Sequence, residues 1–522
     1  MVMVREKMIL NLKNMSEKWD VVIVGGGASG LGAALEAATR GLKTLLLEQD
    51  DFTKGTSSRS TKLVHGGVRY LAQGNISLVL EALRERGLMK QNAPHLVKDQ
   101  SFIIPSYKWW VKPYYTLGLT AYDLMAGRLG LGRSLPYSRK KTLKHIPTLI
   151  KEKLRGGVVY HDGQFDDARY GINLCQTFVE NGGTAINYMK VVGLNKTNGD
   201  ISGVTVIDQE TEEKFEINAK VVVNATGVFV DDIIKMDAPK SRDIVCVSQG
   251  VHLVLDKEFV PNDYAIMIPK TDDGRVLFAV PWHNKVVVGT TDIQKETAEL
   301  EPKALDEEID FILETAGRFL TRMPKRSDVK SVFAGLRPLA APTGEGKKTK
   351  EISRGHKIYT SDSGLVTITG GKWTTYRQMA EETVDTASKV AGFVLKKSIT
   401  RKLPLHGWKQ NVDLTDSLYF YGSDAEKILA LAKSNKDMEL CLSQNLGIIK
   451  AQVVWAVRNE MARTVEDVLS RRTRALLLDA RESARIAPEV AAIMAIELGK
   501  DEAWIEKQIN KYTSLAANYV LN

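Results

Sequence analysis

Three glycines, Gly25, Gly27 and Gly30, form a G-x-G-x-x-G motif that could hold the pyrophosphate of a dinucleotide. The first glycine permits a tight turn, the second lets the backbone approach the phosphates, and the third lets a helix pack closely on a strand. The helix N-terminus, through Ala28 and Ser29, would then face the phosphates. Glu48, which follows Gly30 by 18 residues, is placed to accept hydrogen bonds from a ribose. The motif fits either NAD or FAD.

The residues around this motif predict the βαβ unit that it needs. A β-branched run at 20–24 precedes the glycines, and an Ala- and Leu-rich helix follows at 31–40. Gly41 ends that helix, and a second buried strand covers 44–47. Strand, helix and acidic residue together make a ligand-free turn the weaker interpretation.

Two absences favour FAD over NAD. The glycine cluster at 127–132 does not follow a strand and precede a helix, so we find no second nucleotide motif. Cys175, Cys246 and Cys441 are isolated and form no C-x-x-C pair. The dinucleotide itself must therefore receive the electrons of the substrate, as a flavin does.

Composition restricts the class of protein. A chain of 522 residues predicts two or three domains, and 43% hydrophobic with 26% charged residues is typical of a globular protein. No apolar run is long enough to span a membrane, and charges interrupt the first 19 residues, so we expect neither a membrane span nor a signal peptide. The net charge of +9 fits an anionic membrane or substrate, but no motif supports nucleic-acid binding. We expect a cytoplasmic protein.

The rest of the chain suggests a cap and a helical domain. Residues 90–165 are irregular and aromatic, and we interpret them as part of a cap. Asp166 and Asp167 would cap a helix running through Val179. Residues 243–335 alternate as in an antiparallel sheet, and beyond about residue 412 helical spacing dominates.

Several longer strings carry a family resemblance. They are G-T-S-S-R-S-T-K-L-V-H-G-G-V-R-Y at 55–70, V-N-A-T-G at 223–227, G-L-R-P at 335–338, S-R-G-H at 353–356 and T-G-G-K-W-T-T-Y-R at 369–377. With these strings the chain resembles the FAD-dependent glycerol-3-phosphate dehydrogenases, from residue 18 to about 500. H-G-G-x-R-Y and G-G-K-x-T-T-Y-R are far more specific than the glycine triplet.

The resemblance implies an α+β multidomain fold with three parts. A glutathione-reductase-type, Rossmann-like FAD-binding domain would comprise 18–90, 166–242 and 336–395. An antiparallel-sheet cap would comprise 91–165 and 243–335, and an all-helical domain would cover 396–522. Electrons would pass from sn-glycerol 3-phosphate to FAD and then to membrane quinone, leaving dihydroxyacetone phosphate.

The resemblance also implies a set of FAD-binding residues beyond the glycine motif and Glu48. Hydroxyls, backbone amides and glycines would lie against the diphosphate and the flavin ring. These residues are Thr56, Ser57, Ser58, Lys62, Leu63, His65, Gly66, Gly67, Val192, Ala225, Thr226, Gly227, Gly371, Lys372, Trp373 and Thr374.

Alcohol oxidation needs a hydride acceptor and a base for the hydroxyl proton. His65 is our candidate for the base, because its ordinary pKa is near neutrality; the alternative is that it only orients the flavin. By the resemblance, Arg69, Tyr70 and Arg354 hold the phosphate, while Arg337 and Lys372 stabilise negative charge nearer the reacting carbon.

Partners are predicted less directly. Trp109, Trp110, Tyr114 and Tyr115, beside Lys108 and Lys112, form either a membrane-contacting patch or cap core. We expect a peripheral protein at the inner face of the cell membrane and a homodimer, with Arg471, Arg472 and Arg474 on a solvated or intersubunit face. A glycerol-3-phosphate oxidase, an amine or amino-acid oxidase and a silent FAD-binding scaffold remain as alternatives.

Overall fold

A computed structural model describes residues 3–14, 18–68, 75–269, 271, 274–341 and 355–521. The helices are α1 (Arg5–Asn14), α2 (Ala28–Thr39), α3 (Ile76–Asn92), α4 (Val111–Ala126), α5 (Arg139–His145), α6 (Asp167–Glu180), α7 (Val230–Asp237), α8 (Asp306–Gly317), α9 (Tyr376–Val390), α10 (Ala425–Ser434), α11 (Lys450–Glu460), α12 (Ala475–Leu478), α13 (Ala480–Leu498) and α14 (Glu502–Ala517).

The strands alternate with these helices along the chain. They are β1 (Trp19–Val24), β2 (Thr44–Leu47), β3 (Leu63–Val64), β4 (Val97–Ser106), β5 (Leu135–Tyr137), β6 (Gly156–Phe165), β7 (Thr184–Ile186), β8 (Met189–Thr197), β9 (Asp200–Asp208), β10 (Lys214–Asn224), β11 (Val245–Asp256), β12 (Ala265–Ile268), β13 (Leu277–Trp282), β14 (Lys285–Gly289), β15 (Ile293–Lys295), β16 (Val329–Ala340), β17 (His356–Thr360), β18 (Val366–Gly370), β19 (Cys441–Ser443) and β20 (Ile448–Ile449).

A parallel sheet in the order β18-β10-β1-β2-β7 forms the first layer, with β17 antiparallel at one edge. Its strands are buried, and α2, α6 and α9 pack against it. The βαβ unit predicted around the glycine motif is confirmed as β1, α2 and β2, and Gly41 follows α2 with φ +80°.

A second, mostly antiparallel sheet forms the cap, in the order β15-β11-β14-β13-β12-β4-β6-β3. β16 pairs with β11, and β5 pairs with β6. The antiparallel cap predicted from the sequence is confirmed, and only the β12–β4 pair among its described strands is parallel. The segment 90–165, which looked irregular, contains two long strands, β4 and β6, each of ten residues.

The helices from α11 onward pack around an apolar core of their own, whereas the buried side chains of α10 belong to the core of the parallel sheet. The predicted solvated or intersubunit face at Arg471, Arg472 and Arg474 is wrong, because these side chains are buried. Arg471 and Arg472 bind Asp51 of the loop after β2, and Arg474 pairs with Asp166 at the start of α6. Buried guanidinium groups need carboxylate partners, so these ion pairs fasten the helical domain to the FAD-binding domain.

The aromatic segment before and within α4 lies at the surface. Trp109, Trp110 and Tyr114 are 74%, 45% and 57% exposed, so the cap-core interpretation is wrong for them. Tyr115 is half-buried. Among the described helices, none combines the length and the apolar character needed to cross a membrane.

Candidate functional site

The glycine motif forms a turn in which backbone atoms approach one another closely. Gly25 has φ +107°, and a Cβ there would lie 2.7 Å from the Ala225 carbonyl oxygen. A Cβ on Gly30 would lie 1.8 Å from the Gly25 carbonyl oxygen, so Gly30 is required for packing α2 against the turn. A Cβ on Gly27 would meet only the Ser57 hydroxyl, at 3.0 Å. Because Gly27 has no side chain, the space in front of the N-terminus of α2 stays open.

Glu48 stands at the end of β2 beside this turn, and both of its carboxyl oxygens are engaged. The Gly26 amide donates to Oε2 at 2.6 Å and the Asp50 amide to Oε1 at 2.9 Å. Burial raises the pKa of Glu48 to about 7. A carboxyl group held in this way is oriented to receive hydroxyl donors from a ribose.

The turn opens into a large cavity between the two sheets. Its volume is about 1160 Å³, more than the roughly 300–1,000 Å³ typical of small-ligand sites. The FAD-binding side is lined by the glycine turn, Glu48 and the loop after β10, and the cap side by residues of β11, β13 and β16. The cavity can therefore hold an extended dinucleotide together with a small substrate.

Most of the described residues predicted from the sequence line this one cavity. They are Gly25, Gly27, Ala28, Ser29, Glu48, Thr56, Ser57, Leu63, His65, Gly67, Ala225, Thr226, Gly227, Arg337, Gly371, Lys372, Trp373 and Thr374. Their contact with a bound cofactor or substrate stays a prediction.

Other predicted residues do not line the cavity. Ser58 is buried, and its carbonyl accepts from the Lys62 ammonium, which also binds Asp167 at 2.7 Å. The Lys62 side chain is thus directed to a counter-ion, as a fully buried ammonium requires. Gly66 lies behind its neighbours His65 and Gly67, and the Val192 side chain is 37% exposed. The predicted phosphate-binding residues Arg69, Tyr70 and Arg354 lie outside the described residues.

The cap end of the cavity carries positive charge. The Arg337 guanidinium donates to the Thr290 hydroxyl at 2.9 Å and to the Thr291 carbonyl at 3.1 Å, with Asp292 at 3.5 Å. Gly250 makes room for it, since a Cβ there would lie 2.2 Å from Arg337 Nη2. Arg337 is therefore held in one orientation on the cavity wall. Lys372 lines the same cavity.

The Gly370–Gly371 turn brings the end of β18 to the cavity. Both glycines have φ +77°, a conformation that favours glycine. Trp373 in the short helix that follows donates from Nε1 to the Ser57 carbonyl at 2.8 Å. This bond fixes the described segment around Ser57 against the segment around Trp373, and each segment belongs to one of the predicted FAD-binding strings.

His252 is a wall residue that the sequence reasoning missed. It lies on β11, is 2% exposed and stacks on Phe333, and its Nε2 is 2.8 Å from the Thr61 hydroxyl. Burial lowers the pKa of His252 well below its ordinary value, and the nearby Arg337 and Lys62 lower it further. His252 is therefore neutral, and within the described part of the chain its Nδ1 has no hydrogen-bond partner. Only its position in the cap sheet, which no local motif reveals, brings it to the cavity.

A βαβ glycine turn, a carboxyl group at the end of the second strand and an antiparallel cap over one cavity define the class of dinucleotide-binding oxidoreductases. The family described as "FAD dependent oxidoreductase" matches residues 20–377. The family described as "C-terminal domain of alpha-glycerophosphate oxidase" matches residues 366–505. The open space before Gly27 and the cavity volume fit FAD as the cofactor.

Individual relatives narrow the class. The mitochondrial glycerol-3-phosphate dehydrogenase of Bos taurus is 39% identical over 97% of this chain and 74% of that protein. The Schizosaccharomyces pombe enzyme of the same name is 38% identical over 96% and 88%. A Bacillus halodurans glycerol-3-phosphate dehydrogenase, solved in complex with FAD, is 30% identical with a TM-score of 0.81 over 99% of this chain and 98% of that one. The chain belongs to the FAD-dependent glycerol-3-phosphate dehydrogenase family.

Proposed function

We propose that this protein oxidises sn-glycerol 3-phosphate to dihydroxyacetone phosphate and passes the electrons to a membrane quinone. The observation that carries the proposal is the shared cavity, in which the glycine turn, His65, Arg337 and Lys372 all line the wall. The names of the relatives agree with this substrate. When bound, FAD supplies the hydride acceptor that this chain's side chains lack.

His65 is the proposed base in this reaction. It follows β3 directly and is half-buried on the cavity wall, where it can reach a substrate hydroxyl. An imidazole accepts the hydroxyl proton as the C2 carbonyl forms. His252 is the other histidine that lines the described cavity, and its strongly lowered pKa makes it a poorer proton acceptor. This difference favours His65.

Charge on the substrate would be held at two places. Arg337, fixed by Thr290 and Thr291, and Lys372 would stabilise the negative charge that develops on the substrate oxygen. Arg69, Tyr70 and Arg354, which lie outside the described residues, are proposed to bind the phosphate. A dianion held by several cations is the reason we favour a phosphorylated alcohol over an amine.

Anaerobic bleaching of the flavin tests the substrate. We expect sn-glycerol 3-phosphate to bleach the oxidised flavin of the purified holoenzyme, and glycerol, sarcosine and D-amino acids to leave it yellow. Bleaching by an amine alone would replace this proposal with an amine oxidase. If none of the substrates bleaches the flavin, a catalytically silent FAD-binding scaffold becomes the better interpretation.

The electron acceptor needs a separate test, because the C-terminal match is to an oxidase domain. With substrate present, we expect rapid reduction of a short-chain quinone and little peroxide under air. Rapid peroxide formation without quinone reduction would identify an oxidase instead. The homodimer predicted from the sequence stays a prediction.

We also propose that α4 docks on an anionic membrane. Trp110, Tyr114, Leu117, Ala121 and Leu124 follow one another at helical spacing and are all exposed. α4 and α5 both contact β5, and α5 exposes four basic side chains. These are Arg139, Lys140, Lys141 and Lys144. An apolar stripe flanked by cations suits the interface of a bilayer that contains anionic lipids, on the cytoplasmic side of the membrane.

A further inference from the structure

Asp162, in the middle of β6, is a buried carboxylate to which the proposed reaction gives no part. It is 2% exposed, yet it lies on the cavity wall directly behind the turn that carries His65. A buried charge away from water needs several hydrogen-bond donors. The donors around Asp162 show what it holds together.

Three donors from three different segments converge on this carboxylate. Arg86 of α3 donates at 2.6 Å, Tyr122 of α4 donates at 3.0 Å, and the backbone amide of Gly66 donates at 3.3 Å. Arg86 and Tyr122 are themselves buried, so the network is shielded from water. Asp162 thus ties the His65–Gly67 turn to α3 and α4.

The turn also has no room to move towards these helices. A Cβ on Gly66 would lie 2.4 Å from the Tyr122 hydroxyl and 2.5 Å from a Leu83 methyl group. Gly67 has φ +78°, which fixes the direction in which the chain leaves the turn. The backbone of Gly66 is therefore held by a carboxylate and by packed side chains.

We propose that Asp162 is a positioning residue, which holds the Gly66 amide and so aims the His65 imidazole at the substrate. This inference rests on the proposed function, because it presumes that His65 takes the hydroxyl proton. Asp162 is assigned no proton transfer of its own and acts through the turn that carries His65. Its effect should fall on the rate of substrate oxidation and leave substrate affinity nearly unchanged.

A pair of double variants separates positioning from general stability. Arg86→Gln removes the counter-ion in both, so that neither leaves a buried arginine unpaired. Asp162→Asn then keeps an oxygen that can accept from the Gly66 amide, whereas Asp162→Leu has none. Lys90→Gln, on the same helix as Arg86 but in an exposed ion pair with Asp99, is the surface control.

The readout is anaerobic single-turnover flavin reduction in the holoenzyme by sn-glycerol 3-phosphate. We expect the Leu double variant to be reduced about 10- to 100-fold more slowly than the Asn double variant, with substrate affinity within about 3-fold. Equal rates in the two double variants, or a loss confined to affinity, would overturn the inference.

Tyr122→Phe covers the case in which the Leu double variant does not fold. It deletes one hydroxyl donor and leaves the ion pair between Asp162 and Arg86 intact. A slower reduction at unchanged affinity supports the inference, and the wild-type rate contradicts it. If sn-glycerol 3-phosphate fails to reduce the wild type, the proposed function is contradicted and this inference falls with it.

Discussion

Gly27 and Gly30 lie three residues apart in one motif, but the space around them differs. A Cβ on Gly30 would collide with the Gly25 carbonyl at 1.8 Å, which only a backbone shift could relieve. A Cβ on Gly27 would meet the Ser57 hydroxyl at 3.0 Å, and that side chain can rotate away. Gly30 is therefore required for packing, and we propose that Gly27 leaves room for the cofactor.

We predict that Gly27→Ala folds normally but binds FAD about tenfold more weakly, which is ~1.4 kcal/mol. Gly30→Ala should destabilise the fold by about 3 kcal/mol, because overpacking forces the backbone apart. Flavin absorbance after dialysis and thermal unfolding of the apoprotein measure the two effects. A Gly27→Ala protein that retains FAD like the wild type would contradict the proposed role of Gly27 in cofactor binding.

His65→Ala should slow flavin reduction by about 10²- to 10⁴-fold, because the hydroxyl proton loses its acceptor. Arg354→Ala should mainly weaken substrate binding, because a phosphate contact contributes to the ground state as well. Stopped-flow reduction over a range of substrate concentrations separates the two effects. Unchanged kinetics in both variants would refute these roles.

The two faces of α4 have different surroundings. Its inner face buries Leu119 and Tyr122 against the cap, while Leu117 and Leu124 on the outer face are 78% and 79% exposed. An apolar stripe of this length on a surface helix needs a partner or a lipid surface to cover it. The inner face explains why the helix is stable, and the outer face explains its proposed docking.

The double variant Leu117→Ser/Leu124→Ser should bind vesicles containing anionic lipid at least about fivefold more weakly. It loses two apolar side chains that the bilayer would bury on docking. Flotation of the holoenzyme measures binding. Ile496→Ser is the matched control, since Ile496 is 81% exposed on α13. Equal losses in the double variant and the control would argue against docking by α4.

Local sequence predicted the elements that depend on neighbouring residues. The βαβ unit around Gly25 and the helix cap at Asp166 are confirmed, because a turn and a cap need only a few adjacent residues. Arg472 was misjudged because its partner Asp51 lies 421 positions earlier in the chain. His252 was missed because strand pairing in the cap, and no motif, brings it to the cavity.

Buried and half-buried ion pairs join the helical domain to the FAD-binding domain. Besides the arginines around Asp51, His406 lies between Glu180 at the end of α6 and Asp424 before α10, 2.6 Å from each. Burial alone would lower the pKa of His406, but hydrogen bonds with Asp424 and Glu180 outweigh it and raise the pKa to about 9.

This contact should make the stability of the protein depend on pH. Because the folded pKa lies above the ordinary value, the stabilisation is complete below about pH 6.5 and is lost as the pH rises through about 9. His406→Gln should therefore lower Tm more at about pH 6 than at about pH 10. Lys409→Gln, which removes an exposed ion pair with Glu426, is the control. A Tm deficit independent of pH would contradict the charged state of His406.

If one cavity brings a bound flavin and a phosphorylated alcohol together, a single anaerobic turnover has a fixed stoichiometry. To measure it, the holoenzyme is mixed with excess sn-glycerol 3-phosphate and then denatured. We predict that one dihydroxyacetone phosphate forms for each flavin reduced. A flavin that stays oxidised, or is reduced without formation of this product, would contradict the claim.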